Sequence, residues 1–186
     1  MTDRRLDLVL HGATGYVGRL TARHLAERAG GLRVGLSGRS EQRLRAVRNE
    51  LGVDWPLLVT DAGDRASVVE LAAASAVVAT TVEPYRRYGL PLVEACAEHG
   101  TSYCDLTGET LFVRASADAA HRQAVATEAR IVHSAGFDSV PSDRVCCVQR
   151  GGAGVRLAGS AGHMACASSV KAVARRSGGG TSVASS

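Results

Sequence analysis

Six short apolar runs alternate with longer amphipathic stretches along most of this chain, and that alternation restricts it to few folds. LDLVLH (6–11), LRVGLS (32–37), WPLLVT (55–60), AVVATT (76–81), SYCDL (102–106) and RIVHSA (130–135) read as buried strands. Between them, residues 16–29, 40–51, 64–73 and 115–128 carry helical periodicity. Gly30 and Gly31 end the first of these, and Ser40 is placed to cap the second. Pro91 and Gly100 are expected to bracket one further helix. Strands linked by helices through short loops make a parallel sheet covered on both faces. Right-handed crossovers then give an α/β, doubly wound arrangement.

The first strand hands over to its helix through LVLHGATGYVGRL, residues 8–20. Gly12, Gly15 and Gly18 recur there at intervals of three. Each has a physical reading. Gly12 allows a tight turn off the strand. Gly15, lacking a side chain, lets a pyrophosphate approach the backbone. Gly18 lets the helix pack close to the strand. The helix start then offers free N–H groups and a partial positive charge, with Thr14, Tyr16 and Val17 beside it. A glycine triplet alone is a weak signal in a chain with 21 glycines. Its position in the first strand–helix unit is what makes it a dinucleotide signature, and the fold a Rossmann type.

The end of the second strand selects the dinucleotide. NAD sites place an acidic residue there, whereas this chain has SGRS, with Ser37, Arg39 and Ser40. Arg39 can grip a 2′-phosphate with a charge-assisted pair of hydrogen bonds, so NADP is the expected cofactor. Asp61, after the third strand, is placed to accept from an adenine amino group. Thr80, Thr81 and Val82, at the end of the fourth, are expected near the pyrophosphate or nicotinamide ribose.

Composition narrows the remaining classes. The net charge is +4, but six basic and no acidic residues follow Asp143, so the first 143 residues carry a formal −2. Aromatic residues are only 4%, too few for base-stacking platforms, and nucleic acid is not an expected partner. No apolar run reaches the ~18 residues of a membrane span, and no signal peptide is legible, which points to the cytoplasm. Cys96, Cys104, Cys146, Cys147 and Cys166 fit no zinc spacing, so no metal site and reduced thiols are expected.

Two further segments complete a family pattern. VVATTVEPYRRYGLPLVEACAEHGTSYCDLTGE (77–109) and HSAGFDSVPSD (133–143), with GATGYVG and SGRS, resemble the NADP-binding half of the saccharopine dehydrogenase-like family. Within it the chain is similar to the trans-acting enoyl reductases of polyketide-lipid synthesis. The resemblance implies a Rossmann domain over residues 1–143, normally followed by a substrate and dimerisation domain. The segment 144–186 is rich in Gly, Ala, Ser and Arg, reads as an irregular tail, and is too short for that second domain. A truncated product is expected, with residues 170–183 as a remnant of the second domain. Glu83 stands where the family pattern has glycine, and a carboxylate there opposes phosphate.

The chemistry implied is delivery of a hydride from NADPH to an unsaturated acyl or polyketide-lipid substrate, small or carrier-bound. Short-chain dehydrogenase chemistry is excluded: no tyrosine has a lysine four residues on, and the one lysine is Lys171. Tyr85, Tyr103, Asp105, Glu109, His133 and Asp138 are candidate proton handlers, none singled out. Two alternatives stand beside the reductase: an inactive NADP-binding remnant, and a fragment that docks on a full-length relative or forms a homodimer.

Overall fold

A computed structural model describes residues 6–137, 139 and 140. Eleven elements follow one another within them: β1 (Leu8–His11), α1 (Tyr16–Arg28), β2 (Val34–Gly38), α2 (Glu41–Leu51), β3 (Leu57–Val59), α3 (Arg65–Ala74), β4 (Val77–Thr80), α4 (Tyr85–His99), β5 (Ser102–Cys104), α5 (Thr110–Thr127) and β6 (Ile131–Val132). The strands form one sheet in the order β3-β2-β1-β4-β5-β6, every pair parallel. The order reverses between β1 and β4, the switch point of a Rossmann sheet. The tail expected beyond residue 143, and Asp138, lie outside the described residues.

Consecutive side chains of a strand face opposite sides, so each buried strand feeds two cores. Leu10 and Leu36 join Ala22, Leu44 and Val47 in the core under α1 and α2. Val9 and Val78 join Leu71, Leu92, Val93 and Cys96 in the core under α3, α4 and α5. Cys96 is buried in that core, and burial pushes the Cys104 thiol up to about 11, so it stays protonated at neutral pH.

The helix ends follow local chemistry, and two of them correct the sequence reading. Ser40 caps α2, its Oγ accepting from Arg43 N at 3.4 Å, and Asp64 caps α3 through Ala66 N and Ser67 N. α4 begins at Tyr85, not at Pro91, which lies inside the helix. The cause is Glu109, a residue from elsewhere in the chain. Its carboxylate accepts from Tyr85 N and Arg86 N, both at 2.9 Å, and so satisfies the helix start. α5 starts at Thr110 rather than 115 because its first turn delivers Phe112 onto α4. A Cβ on Gly89 would lie 2.6 Å from Phe112 Cζ, so the ring occupies the space of an absent side chain. Phe112 also stacks on Tyr85 with centroids 5.8 Å apart.

β1 ends in His11, which is 1% exposed. Its Nδ1 lies 2.9 Å from Ser37 Oγ, while Nε2 has no hydrogen-bond partner among the described residues. Burial lowers its pKa to about 4, against the opposing pull of the Asp61 carboxylate. The imidazole is neutral at pH 7. A lowered folded-state pKa means the unfolded chain binds the proton more readily, so stability falls as pH drops below 6.5. Between pH 7 and pH 5 this histidine removes ~2 kcal/mol, all of it present above 6.5. Urea unfolding at the two pH values checks this: His11→Phe loses about 2 kcal/mol less than the parent chain, and parallel losses overturn the assignment.

The glycines of the first turn differ in what they hold apart. A Cβ on Gly18 would lie 2.1 Å from Gly12 O, far inside van der Waals contact with backbone. A Cβ on Gly15 would meet Gly12 O at 3.5 Å and nothing closer. Gly18→Ala is expected to destabilise the domain by about 3 kcal/mol, and Gly15→Ala by ~1 kcal/mol or less, in denaturant melts. Equal midpoints for the two variants would contradict this division of labour.

Candidate functional site

The turn between β1 and α1 is built from the backbone. Gly12 has φ +87°, and a side chain there would run into Thr81 Oγ1 at 2.7 Å and Val82 Cγ2 at 2.9 Å. Gly12 N and Ala13 N donate to Ser37 O at 2.9 and 3.1 Å, and Gly15 N donates to Gly12 O at 3.0 Å. The chain thus leaves β1, folds against β2, and starts α1 at the sheet's switch point. Gly12 and Gly18 are required by the protein's own packing. Gly15 is not; the space it leaves lies at the helix start.

α1 also differs from its neighbours in how its N-terminus is served. Side chains cap α2, α3 and α4, as described above, but Gly15 offers none to α1, and its first turn holds no acidic residue. An uncapped helix start carries amide donors and a partial positive charge. This one opens on a cavity of about 350 Å³. A diphosphate satisfies both the amides and the charge. The donor set and the vacant Gly15 position therefore fit a dinucleotide.

The cavity gathers residues from four strand ends. Gly12, Thr14, Gly15, Arg39, Asp61, Thr81 and Val82, all singled out in the sequence, line it. Arg39 is exposed just beyond β2. Asp61 sits beyond β3 with Oδ1 accepting from Gly63 N at 3.0 Å, so it shapes its own turn as well. Thr81 Oγ1 donates to Gly12 O at 3.2 Å and ties the β4 loop to the glycine turn.

The remaining sequence candidates lie otherwise. Ser37 is buried against His11, Ser40 caps α2, and Gly18 is inside the turn. Thr80 is buried, with Oγ1 accepting from Val82 N. Tyr16, 82% exposed, and Val17 stand on the first turn of α1 with outward side chains, so backbone N–H is what that turn offers. Six lining residues are not among the cofactor candidates: His11, Gly38, Ala62, Glu83, Pro84 and Tyr88. Glu83, the departure from the family's glycine, lines the cavity, and its bond to Pro84 is cis. Tyr88 carries no signal in the sequence beyond its place eight residues after the β4 end.

Among the described residues, the candidate proton handlers Tyr85, Tyr103, Asp105, Glu109 and His133 are engaged inside the protein. Asp105, 1% exposed, accepts from Tyr103 OH at 2.9 Å and from Thr107 N and Ser134 N, both at 3.1 Å. His133 Nδ1 lies 2.7 Å from its Oδ2, and His133 Nε2 lies 2.8 Å from Ser116 Oγ. Serine, histidine and aspartate are thus in line, but Ser116 is 1% exposed and cannot act as a nucleophile on an outside substrate. Burial and the Asp105 charge drive the Tyr103 phenol well above its usual range. Tyr85 OH donates to Thr80 O at 3.2 Å and accepts from Leu106 N at 3.3 Å; burial likewise raises it. Glu109 caps α4. These groups hold the ends of β5 and β6 together.

Comparison with known proteins agrees with this geometry. The family model described as the saccharopine dehydrogenase NADP binding domain matches residues 8–137. A trans-acting enoyl reductase of Mycobacterium ulcerans is 57% identical over 144 residues, 76% of this chain and 34% of the relative. One from Mycobacterium bovis is 54% identical over the same share of each. The chain thus spans about a third of the length of the curated relatives it matches. Among solved structures, apo saccharopine dehydrogenase (L-Glu forming) from Saccharomyces cerevisiae superposes with a TM-score of 0.63 at 17% identity, covering 79% of this chain and 32% of that one. Triphenylmethane reductase from Citrobacter, complexed with NADP(H), gives 0.52 at 14% identity, covering 68% and 48%. Those two likenesses speak to the fold. Among the described residues no helix is long and apolar enough to cross a membrane. With the glycine turn, the free helix start and the arginine beyond β2 all inside the matched span, the chain belongs to the saccharopine dehydrogenase NADP-binding family, and its cofactor is NADP.

Proposed function

We propose that this chain is the nucleotide-binding part of an NADPH-dependent enoyl reductase, acting on an unsaturated acyl or polyketide-lipid intermediate in the cytoplasm. The observation that carries the reading is the uncapped start of α1 behind a vacant Gly15, with Arg39 in the same cavity. Similarity to trans-acting enoyl reductases supports the reaction class.

In this reading the domain extends over residues 1–143, with 144–186 as a tail. The N–H groups of Tyr16, Val17 and Gly18 hold the pyrophosphate over Gly12 and Gly15. Arg39, with Ser37 and Ser40 shaping its loop, grips the 2′-phosphate. Thr14 and Asp61 flank the adenosine end, and Thr80, Thr81 and Val82 form the floor beneath the nicotinamide ribose. Bound NADPH supplies the hydride; the chain's part is to orient it and keep the dinucleotide extended across the switch point. The substrate is small or carrier-bound, and the chain docks on a partner or a second copy. The exposed Tyr16, Val17 and Leu20 on α1 support such docking.

A second reading, NADP binding without turnover by this chain alone, is supported by one observation. Tyr85, Tyr103, Asp105, Glu109 and His133 are all held by internal bonds. NADPH oxidation in the presence of an enoyl thioester separates the two: turnover favours the reductase, and saturable binding with no turnover favours the second reading.

Arg39→Ala is expected to weaken NADPH binding by ~1.5–3 kcal/mol and to leave NADH almost unchanged, measured by fluorescence titration. Equal losses for both cofactors would remove the 2′-phosphate role. Glu83→Gly is expected to tighten both cofactors alike, because it takes a carboxylate out of the cavity without touching the phosphate grip. Unchanged affinity in the same titration would mean that Glu83 does not meet the cofactor's charge.

A further inference from the structure

The cavity has two flanks. Arg39 and Asp61, beyond β2 and β3, form one; Val82, Glu83, Pro84 and Tyr88, from the β4–α4 connection, form the other. A dinucleotide lies across the switch point with one nucleoside on each side. Resting on the reading above, with the 2′-phosphate at Arg39, the nicotinamide half falls on the β4 flank.

Besides Thr81, whose hydroxyl is bonded to Gly12 O, that flank carries two polar side chains, Glu83 and Tyr88. Glu83 is a carboxylate near bound phosphates and is repelled by them. Tyr88 is a neutral donor and acceptor, half-buried on the first turn of α4. The Arg87 guanidinium sits over its ring, 5.1 Å from the centroid, which fixes the ring plane from the solvent side. The other aromatic hydroxyls are placed elsewhere. Tyr85 OH bridges Thr80 O and Leu106 N, Tyr103 OH is bonded to Asp105, and Tyr16 projects into solvent. Among the described residues no hydrogen bond engages the Tyr88 hydroxyl.

We infer that Tyr88 receives the nicotinamide half of the cofactor, its hydroxyl hydrogen-bonding the nicotinamide riboside and its ring packing beside it. Aromatic rings combine a flat apolar face with a polar tip, which suits a nucleoside that must be held flat and oriented. The role is contact and orientation; the proton of the reduction is not assigned to it.

Tyrosine labelled with ¹³C at the ζ carbon gives four signals in the full chain, and Tyr88→Phe identifies one of them. NADPH at saturation shifts the Tyr88 signal. Adenosine 2′,5′-bisphosphate, which carries the Arg39-side contacts and lacks nicotinamide, leaves it in place. Tyr88→Phe weakens NADPH roughly three- to tenfold and leaves the bisphosphate affinity unchanged. A silent Tyr88 signal under saturating NADPH, an equal shift with both ligands, or an unchanged NADPH affinity in Tyr88→Phe overturns the assignment while the nucleotide site stands. Failure of both ligands to bind the parent chain overturns the site itself, and this contact with it.

Discussion

The whole arrangement depends on how closely one helix approaches one carbonyl. Gly12 O and the backbone of Gly18 are so near that a single methyl on Gly18 could not be placed between them. That contact brings the start of α1 against the end of β1. It sets the uncapped amides at the β1/β4 reversal rather than a few ångströms out in solvent. Gly12 makes the same demand from the other side, where Thr81 and Val82 of the β4 loop crowd it. The cavity is therefore a product of packing: the protein needs two of its three glycines to close the turn, and the third leaves the opening.

Much of this could be read from residue order. Strand–helix alternation and burial on both faces follow from apolar runs too short for buried helices and helices polar on one side. Ser40 and Asp64 behave as their types and positions dictate, because a cap bonds to the next few residues. The same holds for the glycine turn, whose parts lie within seven positions. Of the cofactor candidates, those fixed by backbone geometry or by a strand end, Gly12, Gly15, Arg39, Asp61, Thr81 and Val82, do line the cavity.

What could not be read is what depends on partners far along the chain. The start of α4 is not legible locally, because its cap, Glu109, lies 24 residues after Tyr85. Pro91 has a strong local preference for a helix start, and a carboxylate arriving from the β5–α5 loop overrides it. Ser37 carries a hydroxyl at the expected place, yet His11, 26 residues away, takes it into the interior. Acidic, histidyl and phenolic side chains at strand ends resemble a reacting set. In three dimensions Asp105 gathers Tyr103 and His133 into a buried network, Tyr85 bonds to Thr80 and Leu106, and Glu109 caps α4.

Glu109 has one more effect. By bonding to the first amides of α4 while it opens α5, it couples the β5–α5 loop to the helix that carries Tyr88. One carboxylate thus serves two helices, satisfying the first amides of α4 from the position at which α5 begins. Removing that carboxylate would leave the start of α4 as bare as that of α1.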